Sequence, residues 1–128
     1  RIRKKKKMIY DENNIFAKIL RGEIPCNKIY EDDFVLSFHD INPQKKIHAL
    51  VIPKGKYIDL DDFSLNASPD EMVGLIKGIN KVAKKLGIST EIGKGYRALA
   101  NISDHGGQEV LHLHFHLFGG EDVGRMVE

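Results

Sequence analysis

The sequence contains a single cysteine, Cys26, and no run of about twenty apolar residues. One cysteine excludes an internal disulfide, so a zinc site would have to use histidines and carboxylates. The apolar runs are too short to predict a membrane-spanning helix, and no apolar signal-peptide core follows the basic start. We therefore expect a cytoplasmic protein that does not associate with membranes.

The positive charge is unevenly distributed. Six of the 20 lysines and arginines fall within the first seven residues, and acidic residues outnumber basic ones in the remainder. An acidic remainder argues against a broad nucleic-acid surface, whose affinity depends on clustered cations. We expect residues 1–8 to be a disordered or extraneous tail and residues 9–128 to form one domain, since 128 residues suffice for one core.

The first half of the chain predicts one short helix and three strands. Apolar residues at helical spacing predict a helix over residues 15–20. Two segments rich in β-formers, 28–31 and 34–40, predict a hairpin, and the apolar run 48–53 predicts a buried strand. Residues 54–67 lack a strong periodicity and are expected to be a loop.

The second half predicts one long helix and two further strands. Ser68 to Glu71 combines an N-cap, a proline at the first helical position and a capping-box glutamate, and Gly87 is a natural end. Residues 96–101 and 110–118 are the remaining predicted strands. The short connections favour an α+β fold, an antiparallel five-stranded sheet with one long and one short helix.

Three histidines alternate with apolar residues along the last predicted strand. Side chains in a strand alternate between its faces, so His112, His114 and His116 share one face, with neighbours about 7 Å apart. The apolar residues between them fill the opposite face. This pattern predicts a row of imidazoles that face one ligand.

Three interpretations of the histidine row remain open. The row could be a polar strand face without a role, although three histidines at strict alternation are unusual for that. It could be a metal site, since neutral imidazole is a common zinc ligand, although no cysteine pair or H-E-x-x-H element accompanies it. It could also perform phosphate chemistry.

The residues before the row favour phosphate chemistry. Gly106 and Gly107 allow the backbone to approach a ligand, and successive N–H groups in such a loop can bind an anion. Asn101 offers an amide for a phosphoryl or ribose oxygen. Neutral histidine is nucleophilic near pH 7 and can form a covalent intermediate with phosphorus, a scheme that requires no metal or other cofactor.

From Asn101 onward, NISDHGGQEVLHLHFHLFGG resembles the histidine triad family, which has three histidines alternating on one strand. Residues 13–54, NNIFAKILRGEIPCNKIYEDDFVLSFHDINPQKKIHALVIPK, resemble the amino-terminal half of its Hint branch. The transferase branch replaces the third histidine by glutamine, whereas His116 is present here, and the dinucleotide-hydrolase branch lacks the Gly119–Gly120 pair. The resemblance implies a single histidine triad domain, a homodimer with joined sheets, and hydrolysis of purine nucleoside phosphoramidates or adenylates.

The resemblance also implies a role for each of four histidines. His114 would be the nucleophile that takes the nucleoside monophosphate, which water then releases. His116 and His48 would contact the phosphate or the leaving group. His112 would hold the nucleophile in orientation by hydrogen bonding.

The remaining implied site residues bind the nucleotide. Asp40 would accept hydrogen bonds from the ribose hydroxyls. The base pocket would be formed by Phe16, Ile19, Phe38 and Ile41, and the phosphate and sugar would be lined by Asn101, Gly107 and Gln108. Plain core packing is an equally good interpretation of the apolar members, because pocket walls and core look alike in sequence.

Two features depart from the Hint pattern. Glu109 stands where some Hint members have a serine that helps to protonate the leaving amine, and a carboxylate there would repel phosphate. The chain also ends without the tryptophan-bearing tail that shapes the leaving-group pocket in some relatives. These departures leave the choice between acyl and amine leaving groups open. The non-enzymatic alternative is a nucleotide-binding module in which the histidine triad binds AMP with little turnover.

Overall fold

The computed structural model describes residues 9–126, so the predicted tail at residues 1–8 lies outside the described residues. The described part of the chain forms three helices and one five-stranded sheet. In chain order the elements are α1 (Ile15–Leu20), β1 (Lys28–Glu31), β2 (Val35–His39), β3 (Ile47–Pro53), α2 (Leu60–Asn66), α3 (Pro69–Lys85), β4 (Arg97–Leu99) and β5 (Phe115–Gly119). The predicted α+β class with an antiparallel five-stranded sheet is confirmed.

The sheet has the strand order β1-β2-β3-β5-β4, and all neighbouring strands are antiparallel. The last strand therefore inserts between β3 and β4. Its pairing sets His116 opposite Leu50 and His48 opposite Phe118. This register brings the carboxyl-terminal histidines next to His48, which is 68 residues away in sequence from His116.

Different helices pack on the two faces of the sheet. The larger core lies between the sheet and the helices α2 and α3; its buried members are Ile29, Val35, Ala49, Val51, Phe63, Leu75, Ile79, Val82, Leu113 and Leu117. The smaller core lies under α1 and consists of Phe16, Leu36, Phe38, Leu50 and Ile52. Alternation along β3 explains the division, because Ala49 and Val51 face the first core and Leu50 and Ile52 the second.

Helix α3 begins as the sequence predicts. Ser68 caps the helix and forms a reciprocal capping box with Glu71, and Pro69 occupies the first turn. The helix then packs closely on the sheet, because a side chain at Gly78 would collide with Val35. The predicted stop at Gly87 follows the C-cap residue Leu86, and the positive φ of Gly87, 74°, suits glycine.

The prediction that residues 54–67 form a loop is wrong, because α2 occupies Leu60–Asn66. The Asp59 side chain caps this helix by accepting a hydrogen bond from the backbone N–H of Asp62. Phe63 is its only buried residue. A seven-residue helix with one inward side chain has no apolar repeat, so periodicity could not detect it.

The predicted strand over residues 110–118 is too long, since β5 begins at Phe115. Its ladder with β3 ends at the pair Val51 and Phe115, close to Pro53, which has no N–H to donate. The backbone N–H of Leu113 instead donates to the carbonyl of Tyr57, outside the sheet. The strand predicted over residues 96–101 likewise contracts to Arg97–Leu99.

Of the other predicted strands, 28–31 agrees with β1, 34–40 exceeds β2 by one residue at each end, and 48–53 begins one residue after β3 does, which is the usual uncertainty of strand limits. Within residues 9–126, no helix has the length and apolar character that a membrane crossing requires.

Candidate active site

A cleft of about 600 Å³ lies on the face of the sheet that carries α1. All but two of the site residues predicted from the sequence line this cleft. These are His48, His114, His116, Phe16, Ile19, Phe38, Asp40, Ile41, Asn101, Gly107 and Glu109. The lining combines apolar side chains with the histidines, and Phe16 lies directly against His114, a combination that suits a ligand with an apolar ring system and a polar group.

His48 and His116 form a hydrogen-bonded pair across β3 and β5. The backbone N–H of Gln44 donates to His48 Nδ1 at 3.2 Å. The neutral His48 ring therefore carries its proton on Nε2, which donates to His116 Nδ1 at 2.9 Å. The neutral His116 ring must then carry its proton on Nε2, so His116 can donate a hydrogen bond to a ligand.

His114 is fixed in the opposite tautomer. Its Nδ1 lies 2.7 Å from the backbone carbonyl oxygen of His112, which can only accept, so Nδ1 carries the proton. The Nε2 lone pair is then available in the cleft. The ring is held edge-on against Phe16 and His116, with centroid distances of 5.0 and 5.1 Å. Nucleophilic attack requires this tautomer and a fixed ring.

His112 differs from the prediction in its position. Its ring is fully buried and does not line the cleft. Nε2–H donates to the carbonyl oxygen of Pro53 at 2.8 Å, and the Tyr10 hydroxyl donates to Nδ1 at 2.6 Å. The prediction that all three imidazoles of the row face one ligand is therefore wrong for His112. Residue 112 precedes the paired part of the strand, so the sheet does not set its orientation, and the ring turns toward Pro53. His112 contacts His114 through its carbonyl.

Burial keeps all four histidines neutral near pH 7. It lowers the pKa of His112 and of His116 to about 4, and for His116 the neighbouring histidines add to the effect. Burial also lowers the pKa of His114 and of His48, against the opposing influence of Asp40. Neutral imidazoles retain the lone pair that a nucleophile or a metal ligand needs.

Gln108 is the second nominated residue that does not line the cleft. Its side-chain amide donates to the carbonyls of Ile58 and Val110, and its oxygen accepts from the backbone N–H of Ser103. These three hydrogen bonds hold the loop that precedes the histidines, so the Gln108 side chain is engaged within the protein and not in the cleft. Sequence spacing could not reveal this, because Ile58 lies 50 residues away.

The glycine pair shapes the same loop. A side chain at Gly106 would overlap the backbone of Ile102, and Gly107 has a φ of 74°. Both positions therefore require glycine, for close approach and for a left-handed conformation respectively. Gly107 lies at the cleft as expected.

Asp40 lies beside the histidine pair. Its Oδ1 accepts the backbone N–H of Asn42 at 2.8 Å, and its Oδ2 is 3.4 Å from His48 Nε2. Asp40, His48 and His116 each offer one donor atom, and these atoms lie within 4.8 Å of one another. Among the described residues, this cluster is the one spaced to hold a metal ion, but in the tautomers described above His48 Nε2 carries a proton, which a bound cation would have to displace.

Several residues at the cleft were not nominated from the sequence. They are Ile15, Ile24, Pro25, Cys26, Asn27, His39, Asn42, Gln44, Leu50 and Val110. Alternation with His48 on β3 could have identified Leu50. The segment 24–27 carried no signal, because it has no regular structure and reaches the cleft only through the turn after α1.

Comparison with known proteins identifies the family of this chain. The HIT domain, or histidine triad, family matches residues 21–123. An uncharacterized HIT-like protein from Azospirillum brasilense is 51% identical over 118 residues, which are 92% of this chain and 94% of that protein. The purine nucleoside phosphoramidase of Escherichia coli is 42% identical over 117 residues, covering 91% and 94% respectively.

The fold agrees as well. The structure of a HIT family hydrolase from Clostridium thermocellum superimposes with a TM-score of 0.79 at 40% identity, covering 91% of this chain and 98% of that one. A histidine triad protein from Clostridium difficile gives a TM-score of 0.77, also at 40% identity, over 91% and 98% of the two chains. The chain belongs to the HIT family.

Proposed function

We propose that the protein is a nucleotide hydrolase that cleaves purine nucleoside phosphoramidates or adenylates through a covalent nucleotidyl-His114 intermediate. The observation that carries this proposal is the tautomer of His114. Its Nδ1–H is committed to the His112 carbonyl, which leaves a neutral Nε2 lone pair in the cleft. The name of the Escherichia coli relative, purine nucleoside phosphoramidase, supports the substrate class.

The first step forms a bond between His114 Nε2 and phosphorus and breaks the bond from phosphorus to the leaving nitrogen or oxygen. The leaving atom keeps the electron pair of the broken bond, takes up one proton from the solvent and departs as the free amine or acid. His116, which carries its proton on Nε2, donates to a phosphoryl oxygen and stabilises the charge that develops there. His48 keeps His116 in that tautomer.

The second step transfers the nucleotide to water. A water molecule attacks phosphorus, the bond to Nε2 breaks, and one proton is released to the solvent. The products are the nucleoside monophosphate and a free His114. The proton that the leaving group takes up in the first step equals the proton released here. The reaction therefore consumes one water molecule and requires no cofactor.

The nucleoside would occupy the part of the cleft that is lined by apolar side chains. Phe16, Phe38 and Ile19 offer an apolar pocket for a purine base, and Ile41 is exposed at its rim. Asp40 has acceptor capacity beyond its bond to Asn42, which suits the ribose hydroxyls. Asn101 and the Gly107 backbone are suited to the phosphate and sugar, and we assign AMP-like nucleotides as the ligand class.

Glu109 lies exposed at the same cleft. Its charge opposes the lowering of the His114 pKa by burial. A carboxylate near the transferred phosphate disfavours an anionic leaving group. This observation favours amine leaving groups over acyl or phosphate ones.

We further propose a cytoplasmic homodimer in which two sheets join. The edge strands β1 and β4 bound the sheet of one chain, and an edge carries backbone groups that a second chain can pair with. Light scattering of the purified protein should give the mass of two chains. A monomeric mass at micromolar concentration would contradict this assignment.

The function is tested by trapping the intermediate. The protein is mixed with an adenosine phosphoramidate, quenched in milliseconds, digested, and analysed by mass spectrometry. We expect an adenylate adduct on the peptide that contains His114. Product formation without an adduct under single-turnover conditions would contradict covalent catalysis, and an absence of turnover with tight AMP binding would favour the alternative of a binding module.

A further inference from the structure

Tyr10 lies outside the HIT family match, which begins at residue 21, yet it contacts the histidine motif. Its hydroxyl is 2.6 Å from His112 Nδ1, 102 residues away in sequence. The two rings also meet edge to face, with centroids 5.6 Å apart. The contact therefore connects the amino-terminal segment to the backbone that supports His114.

Independent contacts hold this segment in place. Arg21 donates from Nη1 to the carbonyl oxygen of Glu12 at 2.7 Å, and the Glu12 carboxylate pairs with Lys56. The Asn14 side chain donates to the Asp11 carbonyl at 2.7 Å and caps α1. The chain that directly follows Tyr10 is thus held by contacts that do not involve His112, so the Tyr10 side chain extends from a fixed backbone.

The direction of the Tyr10 hydrogen bond follows from the far side of the His112 ring. Nε2 faces the Pro53 carbonyl, which can only accept, so Nε2 carries the ring proton. Burial disfavours the protonated ring, so Nδ1 holds a lone pair. Tyr10 must therefore be the donor, and both nitrogens of a fully buried ring are satisfied.

This anchoring matters because His112 precedes the regular part of β5. The ladder with β3 ends at Phe115, so no strand pairing fixes the His112 carbonyl. Two ring hydrogen bonds of His112 and the bond from Leu113 N–H to Tyr57 hold this stretch instead. The same carbonyl accepts the Nδ1–H of His114.

We propose that Tyr10 is a positioning residue: its hydroxyl fixes the His112 ring and, through the His112 carbonyl, holds His114 in its nucleophilic tautomer. The inference rests on the proposed function for its catalytic consequence. Its structural part concerns only the tautomers of two histidines and stands apart from any activity. Without the hydroxyl, the buried Nδ1 has no donor, the ring shifts, and the His112 carbonyl moves away from His114.

The variant Tyr10→Phe removes the hydroxyl and keeps the ring packing. The matched control is Tyr30→Phe, which removes a hydroxyl that donates to Asp32 at 2.8 Å on the β1–β2 hairpin, away from the cleft. Three quantities are measured for both variants and the wild type: the single-turnover rate of adenylate transfer to His114, the AMP dissociation constant, and the histidine tautomers by long-range ¹H–¹⁵N NMR.

We expect Tyr10→Phe to slow adenylate transfer about tenfold while AMP binding changes little, because the nucleophile is misoriented and the binding pocket is intact. In the wild type, His114 should be protonated at Nδ1 and His112 at Nε2. In Tyr10→Phe, His114 should acquire a measurable Nε2–H population. Tyr30→Phe should match the wild type in all three quantities.

The proposal is overturned if Tyr10→Phe transfers adenylate at the Tyr30→Phe rate, or if it is slower while the His114 tautomer is unchanged. A fall in thermal stability without a tautomer change would likewise assign Tyr10 a purely structural role. If the wild type itself shows no transfer, the proposed function fails, and the NMR comparison alone decides whether Tyr10 fixes His114.

Discussion

The histidine motif consists of two differently supported halves. His116 lies within β5, where pairing with β3 and β4 on both sides fixes its backbone. His112 and His114 precede the strand, and individual hydrogen bonds to Pro53, Tyr10 and the His112 carbonyl hold them. One alternating sequence pattern is therefore held by two physical means: strand pairing orients His116, and individual hydrogen bonds orient His112 and His114.

The largest effect should come from removing His114, the proposed nucleophile. His114→Ala should lower turnover of an adenosine phosphoramidate by about 10⁴-fold or more, because no other group supplies the attacking nitrogen. Steady-state hydrolysis measures the effect. The matched control is His105→Ala, an exposed histidine in the preceding loop, which should retain wild-type turnover. A folded His114→Ala protein with substantial activity would refute the nucleophile assignment.

His116→Ala tests the half that lies in the strand. Its loss removes one donor to the phosphoryl group, so kcat should fall about 100-fold, within the range for a single stabilising donor. The backbone pairing of β5 remains, so the fold should tolerate the change. Equal kcat in the variant and the wild type would place phosphate stabilisation elsewhere in the cleft.

His112→Ala tests the half that precedes the strand, and its main effect should be on stability. The substitution leaves a cavity and removes the partners of the Tyr10 hydroxyl and the Pro53 carbonyl. We expect a loss of about 3 kcal/mol in the free energy of unfolding, measured in urea. The loss should exceed that of His116→Ala, and the reverse order would contradict the distinction between the halves.

Acidification should destabilise the folded protein. The pKa values of His112 and His116 are about 4 in the fold, below the value near 6.5 of an unfolded chain, so the unfolded state binds more protons between these values. Stability is therefore fully present above pH 6.5 and is lost as the pH falls toward 4. Each of the two groups contributes a slope of up to about 1.4 kcal/mol per pH unit.

Urea unfolding across that pH range measures the slope. His116→Ala lacks one of the two groups, so its stability should depend less steeply on pH than that of the wild type. An identical slope would mean that His116 is not held neutral by the fold.

The smallest expected effect is that of a chelator. Incubation with EDTA, followed by gel filtration, should leave phosphoramidate turnover unchanged, because the proposed steps use imidazole nitrogens alone. Asp40, His48 and His116 are the candidate cation ligands, so the same assay also tests whether the reaction depends on a metal. A loss of activity that zinc restores would favour the metal interpretation of the histidines.

Elements with a strong local signal were predictable from the sequence. The capping box at Ser68, the apolar stripe of α3 and the β-rich runs all depend on residues within a few positions of one another. Helix α2 was missed because a single buried residue, Phe63, makes no repeat. The end of β5 was misjudged because it depends on Pro53, a residue in another strand.

The candidate site also has residues whose positions could be predicted from the sequence and residues whose positions could not. Its members at the cleft follow from the family motif and from strand alternation, as with His114 and His116. The positions of His112 and Gln108 could not be deduced, because their partners Tyr10, Pro53 and Ile58 are remote in sequence. Tyr10 carried no signal at all, since it precedes the motif by about a hundred residues.

The hydrogen bond from the Gln44 backbone to His48 has a consequence for inhibitor design. A backbone amide does not give up its proton near neutral pH, so the His48–His116 pair cannot exchange tautomers. The cleft thus presents an N–H at His116 and a lone pair at His114, in a fixed arrangement. A compound such as a sulfonamide can place an acceptor opposite the His116 N–H and a neutral N–H donor opposite the His114 lone pair, so it would hydrogen-bond to both rings. A fully ionised phosphate has no proton to donate and would hydrogen-bond to His116 alone.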